Sequence, residues 1–434
     1  MASPSYTETS PLLNGSPPQD HDHNSFSQRL TSVFKAEDEP SWPDSIKSFF
    51  FGTYLNILLV FVPLSIISHN LNWDAALRFS FSFLAIIPLA KLLGECTEQM
   101  SFSLGDTLAG LLNASFGNAV EIIVGVAALL QDEVRIVQTS MLGSILSNIL
   151  LVLGCSFVAG GFVRKESNFQ VTAAQAKSVV MVIAYPTLTY ASLALVLPAA
   201  YYLAIGQDKN EHGLDIISRG TSVLLLAVYV IYIVFQLKTH AFLYDETLPH
   251  PDDLESNGPL SEGARQREER RLALQNEPKE SPKMNLLSAT LGLLLVTVVT
   301  SFCADYLVAS IEETAVRYHI PKTFIGLILL PIVANAAEHV TSVWMAMKNK
   351  MEITIGICVG SSIQIAALVI PLLVIVGWCT GHNLTLYFAN FETVVFFVSV
   401  FLTNTLIQDG KSNYMEGVML LTLYLVIALA FWVS

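Results

Sequence analysis

The sequence predicts an all-α polytopic membrane protein of eleven transmembrane helices, one extra N-terminal helix followed by two inverted five-helix repeats. Three observations carry this expectation. Of 434 residues, 53% are hydrophobic and only 14% are charged, and the mean hydropathy is +0.54. The apolar residues collect into runs long enough to cross about 30 Å of hydrocarbon as helices. Finally, two polar motifs inside those runs each occur twice. Gly117-Asn118-Ala119-Val120-Glu121 is matched by Ala334-Asn335-Ala336-Ala337-Glu338, and Gly143-Ser144-Ile145-Leu146-Ser147 by Gly360-Ser361-Ser362-Ile363-Gln364. Glu338 follows Glu121 by 338 − 121 = 217 positions, and Gly360 follows Gly143 by the same 360 − 143 = 217. One offset shared by two motifs reads as an internal duplication.

In chain order, residues 1–48 are rich in Ser, Pro, Asp and Asn without apolar periodicity and are expected to form a disordered cytosolic tail. Within it, Glu8-Thr9-Ser10-Pro11-Leu12-Leu13 resembles an acidic dileucine sorting signal for the vacuole or lysosome, a short pattern that chance also produces. No basic segment leads into a short apolar stretch, so no cleaved signal peptide is expected. The first span, 49–71, stands outside the duplication. The first five-helix repeat occupies 76–238, with spans near 76–93, 107–130, 136–159, 178–203 and 219–237. A charged cytosolic linker covers 239–284, and its stretch from Glu262 to Asn276 has few helix breakers, so it reads either as a charged helix or as a solvated connection. The second five-helix repeat occupies 285–434, with spans near 285–308, 323–347, 353–378, 384–407 and 416–433.

Basic residues orient the chain. With the N-terminus in the cytosol, Arg78, Arg135, Lys209, Arg219, Arg317 and Lys322 face the far side, and the other 17 of 23 Lys and Arg face the cytosol. An odd span count then places the C-terminus in the lumen. Glu121 falls on the third span and Glu338 on the eighth, an odd separation, so the two copies enter the membrane in opposite directions. That is the inverted-repeat plan of many secondary transporters, whose substrate site lies near the midplane between the repeats.

Composition also excludes functions. A net charge of −13 without a basic stripe argues against a nucleic-acid partner. Cys96, Cys155, Cys303, Cys358 and Cys379 show no paired spacing and read as small core residues, not as disulfides or a zinc site. Membrane lipid is the expected surrounding partner, and no cofactor is called for. Nothing in the sequence specifies an oligomeric state.

The chemistry rests on the duplicated motifs. A charged side chain at the bilayer centre costs about 2.5–3.5 kcal/mol on insertion scales, so two glutamates at matched positions point to an ion pathway. Asn118 and Glu121 are spaced i, i+3, as are Asn335 and Glu338, Ser144 and Ser147, and Ser361 and Gln364, giving each of four helices one oxygen-bearing face. Two carboxylates with amide and hydroxyl oxygens suit Ca²⁺, a hard cation taking six to eight oxygens in flexible geometry, better than Mg²⁺. Ser144 and Ser361 read equally as groups that hydrogen-bond a neighbouring helix, and Gly143 and Gly360 as sites of close helix approach. His339, whose counterpart is Ile122, reads either as a proton-handling group or as a core histidine. Asp305 and Glu392 are further acids at span edges, candidates for gate or pathway groups.

At these residues the chain resembles the cation/proton exchangers of the calcium/cation antiporter superfamily, in particular the vacuolar Ca²⁺/H⁺ exchangers of fungi and plants. The first half carries Gly117-Asn118-Ala119-Val120-Glu121 and Lys238-Thr239-His240; the second carries Phe324-Ile325-Gly326-Leu327-Ile328-Leu329-Leu330-Pro331 and Asn335-Ala336-Ala337-Glu338-His339. Both Gly-Ser motifs match, and the resemblance extends from residue 49 onward. It implies an eleven-span antiporter moving Ca²⁺ from cytosol to vacuole against H⁺, with Glu121 and Glu338 at its centre. Two departures stand out: Ala334 replaces the usual glycine, and the linker lacks the family's dense acidic run. A sodium-driven calcium exchanger is the nearest alternative, which His339 and the motif set disfavour. An intramembrane aspartyl protease also uses two buried acids, but both here are glutamates and no Gly-x-Gly-Asp run is present. A passive cation channel is disfavoured by the inverted repeat, which points to alternating access.

Overall fold

The computed structural model describes residues 40–433 except 105, 165–166, 169–178, 206–210, 240–271, 273–280 and 409. The dileucine pattern, His240 and, apart from Leu272, the charged stretch Glu262 to Asn276 lie outside the described residues. Helices dominate: α1 (Trp42–Phe51), α2 (Tyr54–Asn70), α3 (Ala75–Leu104), α4 (Asp106–Phe116), α5 (Ala119–Leu130), α6 (Val134–Val163), α7 (Val179–Ile205) and α8 (Glu211–Val234) precede the linker. After it come α9 (Leu286–Tyr318), α10 (Lys322–Ala334), α11 (Ala336–Met347), α12 (Met351–Thr380), α13 (Asn390–Ile407) and α14 (Tyr414–Val433). Among the described residues, seven helices are long and apolar enough to cross a membrane, and nine segments qualify when the bent pairs α1–α2 and α10–α11 each count as one. The other two apolar runs are helical as well, one as α7 and one as the broken pair α4 and α5.

Local sequence explains where the helices begin and bend. The expected tail boundary at residue 48 is too late, because Ser41 caps a helix already under way at Trp42. Its hydroxyl accepts from Asp44 N at 3.4 Å, and Pro43 sits in the first turn, where no donor is missed. Asn285 starts α9 in the same way, its side chain accepting from Ser288 N at 2.7 Å. Helix α12 ends at Gly381, whose φ of 81° favours glycine. α3 and α9 outrun their predicted spans, to Leu104 and Tyr318, because their polar ends continue the helix beyond the apolar stretch. The all-α expectation needs one small correction: Ser167–Asn168 (β1) pairs antiparallel with Lys411–Ser412 (β2), joining the connections after α6 and before α14.

The centre of the bundle is set by burial. α6 and α12, which carry the two Gly-Ser motifs, have 83% and 67% of their apolar windows buried, whereas α8 and α14 have 22% and 28%. The first pair is therefore the inner scaffold and the second faces outward. Both inner helices relax into a π-helical turn at the end of their motif, at Ser147–Val152, which starts on the motif's last residue, and at Ile365–Val369, which directly follows it. Such turns free backbone carbonyls and recur at functional sites.

Candidate functional site

The two Asn-Ala motifs do not lie within continuous helices. Helix α4 stops before Gly117 and α5 restarts after Asn118 (φ −111°, ψ 32°); α10 stops at Ala334 and α11 restarts after Asn335 (φ −89°, ψ 11°). The second break bends the chain by 59°, so alanine at 334 in place of glycine does not prevent it. This corrects the expectation that Asn118 and Glu121, or Asn335 and Glu338, share one helix face: each asparagine is the residue before a half-helix, and each glutamate lies in that half-helix's first turn. A carboxylate there is favoured by the helix dipole.

Neither asparagine side chain caps its own helix. Each crosses to the other half of the chain instead. Ser361 Oγ donates to Asn118 Oδ1 at 3.0 Å, and Ser144 Oγ donates to Asn335 Oδ1 at 3.3 Å. The matched serine of one half thus bonds the matched asparagine of the other, twice. Asn335 Nδ2 returns a bond to Ser144 O at 3.2 Å, and Asn118 Nδ2 donates to Gln364 Oε1. Ser144 Oγ also stands 3.5 Å from Glu121 Oε1. Ser361 and Asn148 lie close to the Glu338 carboxyl, and the Glu121 carboxylate is near enough to act on it by its charge. Glu121 is only 4% exposed, and Glu338 Oε2 is buried without a hydrogen bond. An apolar surrounding does not tolerate a bare carboxylate, so such a pair calls for a cation or protons.

Of the predicted residues, the structure therefore gathers Asn118, Glu121, Ser144, Asn335, Glu338, Ser361 and Gln364 at one place. Ser147 is set apart; its hydroxyl makes no hydrogen bond and lies near that of Tyr424 on α14. His339 borders the cluster: Nδ1 pairs with Asn335 O at 2.7 Å, while Nε2 is buried and unbonded. Sequence reasoning missed Asn148. It donates to Ser361 Oγ at 3.0 Å and keeps a buried Oδ1 free of hydrogen bonds. Its spacing of four from Ser144 was the available signal, hidden because its counterpart is Ile365.

Among the described residues no group of three or more His, Cys, Asp or Glu forms a metal cluster. The charge of the site is the two carboxylates, balanced in kind by a divalent cation, with neutral amide and hydroxyl oxygens around them. A cavity of about 20 Å³, room for about one water, reaches Glu121, Ser140 and Ser144 between α3, α5, α6, α9 and α10. Asp305 and Glu392 are not in the site. Asp305 accepts from Gln131 Nε2 at 2.6 Å, and Glu392 pairs with Arg135 and accepts from Ala389 N at 3.1 Å, tying helix ends together.

The glycines differ. A Cβ on Gly143 would lie 2.2 Å from Leu327 O, so α6 and α10 touch backbone to backbone there. At Gly360 nothing lies within 4 Å of such a Cβ, so the close approach expected there does not occur. The five cysteines are free thiols, three of them buried.

Comparison with known proteins bears on this arrangement. The sequence profile of the family described as sodium/calcium exchanger protein matches residues 75–238 and 288–433. The vacuolar calcium ion transporter of Schizosaccharomyces pombe is 45% identical over 387 residues, covering 89% of this chain and 86% of that protein. The Ca²⁺/H⁺ antiporter of Synechocystis is 38% identical over 381 residues, covering 87% and 96%. Among solved structures, native YfkE superposes with a TM-score of 0.68 at 30% identity, covering 88% of this chain and 100% of that one. The chain belongs to the sodium/calcium exchanger family and is related to the vacuolar Ca²⁺/H⁺ exchangers.

Proposed function

We propose that this protein exchanges cytosolic Ca²⁺ for lumenal H⁺ across the vacuolar membrane by alternating access, with Glu121 and Glu338 as the shared carrier of both ions. The observation that carries this reading is the crossed pairing of Ser144 with Asn335 and Ser361 with Asn118, which brings both glutamates to one oxygen-rich point between the halves. Family membership makes the chain an antiporter and not an enzyme. The vacuolar transporter of S. pombe and the Ca²⁺/H⁺ antiporters support calcium, protons and the vacuole. Ca²⁺ would be held by the two carboxylates with Asn118, Asn335, Ser144, Ser361 and the unbonded amide oxygen of Asn148. Ca²⁺ and protons compete for the same carboxylates, so loading one ion expels the other. The loaded site is nearly neutral and can change faces, whereas the empty dianion is costly to move through the apolar bundle. Mutual exclusion and that trapping together suffice for exchange. His339, beside Glu338, is the candidate for handing protons to it.

The test is uptake of radioactive calcium into sealed vesicles with an imposed proton gradient, with and without a sodium gradient. Uptake that follows protons alone supports the reading; uptake that follows sodium alone makes the protein a sodium-driven exchanger. Asn148→Leu, which keeps the volume and removes the amide, is expected to weaken calcium binding about tenfold, roughly the worth of one hydrogen bond to a charged group. The measurement is the calcium concentration giving half-maximal uptake, and an unchanged value removes Asn148 from the site.

We also propose the topology of eleven spans with one helix outside two inverted repeats, N-terminus cytosolic and C-terminus lumenal. The bias of basic residues and the two stretches matched by the family profile support it. A tag before Met1 should be reached from the cytosol and one after Ser434 only from the lumen; both tags on one side would rule the odd count out.

A further inference from the structure

Helix α1 is bent by 82° from α2. If α2 runs across the membrane, α1 runs nearly parallel to its plane. Before its last residue, Phe51, its main contacts and exposed side chains sort into three arcs. Ser45 and Phe49 are buried against the protein: Ser45 Oγ accepts from Asn285 N at 3.2 Å, and the Phe49 ring lies 3.1 Å from where a Cβ on Gly292 would be. Asp44 and Lys47 occupy another arc and are exposed. Trp42, Ile46 and Phe50, spaced four apart, form the third arc and are 47%, 52% and 47% exposed. Apolar exposure continues through the bend, with Phe51 at 82%, Tyr54 at 98% and Ile57 at 79% on the start of α2. On a spanning helix that face is the one turned to lipid, so the strip on α1 is continuous with the lipid-facing surface of the bundle.

We propose that α1 is an interfacial helix whose Trp42–Ile46–Phe50 strip sits at the boundary between headgroups and acyl chains of the leaflet in which α2 begins. An amphipathic helix with tryptophan on its apolar arc is suited to that layer. The one exposed acid and one exposed base on α1, Asp44 and Lys47, cancel, so the attraction comes from apolar area and requires no anionic lipid. Through Ser45, the same helix joins Pro40 and Gln99 in holding the point where the linker rejoins the bundle. Asn285 Nδ2 donates to Pro40 O at 3.4 Å, and the backbone N–H groups of Lys283 and Met284 donate to Gln99 Oε1 on α3 at 2.6 and 3.2 Å. Seating α1 in the leaflet therefore also fixes the start of α9.

Spin labelling of the full chain in vesicles tests this. Cys155 and Cys379, the two cysteines that are not buried, are replaced by serine. A nitroxide is then attached at single cysteines replacing Trp42, Ile46 or Phe50, and in parallel Asp44 or Lys47. Collision rates are read with oxygen, which concentrates in lipid, and with a water-soluble nickel chelate. Oxygen should exceed nickel several-fold at 42, 46 and 50, with the order reversed at 44 and 47, in zwitterionic phosphatidylcholine as well as in mixed anionic vesicles. Nickel dominating at the apolar positions overturns the proposal, because the strip then faces water. Low rates with both reagents overturn it too, because the N-terminal residues or a second copy then cover the strip. An oxygen preference confined to anionic vesicles overturns the account from apolar area. Three positions on one arc keep the test decisive if one variant fails to fold, which monodispersity on gel filtration shows beforehand.

Discussion

Glu121→Gln and Glu338→Gln should each abolish proton-driven calcium uptake while the protein still folds. Glutamine keeps the size of the side chain and its ability to accept hydrogen bonds, so Ser144 retains an acceptor at 121 and Asn148 and Ser361 still face a polar group at 338. What is lost, on the proposed mechanism, is one of the two charges that would face a divalent cation in a site where Glu121 is buried. Breaking a buried pair of charges by removing one partner costs about 3–5 kcal/mol, which corresponds to a fall of more than about 100-fold in rate or affinity. The proton half of the cycle fails as well, because an amide carries no exchangeable acid proton at neutral pH. The check is calcium uptake by monodisperse variant protein in vesicles across a range of imposed pH gradients. Wild-type uptake with unchanged pH dependence in either variant would rule out shared carboxylates.

Gly143→Ala should unfold or inactivate the protein, and Gly360→Ala should do neither. A methyl group at 143 would meet the carbonyl oxygen of Leu327 at 2.2 Å, its carbon at 2.7 Å and Pro331 Cγ at 2.7 Å. A backbone carbonyl cannot rotate aside as a flexible side chain does, so α6 and α10 must part. Overpacking of this kind costs about 1–3 kcal/mol in stability. The cost in function is larger, because the adjacent Ser144 is the group that reaches Asn335 and Glu121. At Gly360 the added methyl enters open space and leaves the Ser361 bond to Asn118 alone. Thermal melting and calcium uptake of the two variants side by side decide the matter. Equal behaviour would mean that the two halves pack alike at these positions.

Much of this protein was legible in its sequence. Apolar runs separated by polar turns announce membrane helices, because a helix is one of two ways to satisfy backbone groups in hydrocarbon. Glu121 and Glu338 stand out because a buried acid is costly, and one offset of 217 ties them together with the Gly-Ser motifs, as subtracting the residue numbers shows. What the sequence could not reveal was where these helices break and which groups meet across the halves. Spacing of i, i+3 places two side chains on one face only while the helix continues, and Asn118 and Asn335 are where it stops. The bonds that define the site link Asn118 to Ser361 and Ser144 to Asn335, contacts made far apart along the chain. Asn148 has no counterpart in the second half, where Ile365 stands, so duplication could not point to it. Gly143 and Gly360 look alike in sequence, yet only Gly143 meets a neighbouring backbone. Sequence determines the pattern of apolar and polar faces along each helix; how closely two helices approach, and which oxygens converge, depends on crossings that only the tertiary packing decides.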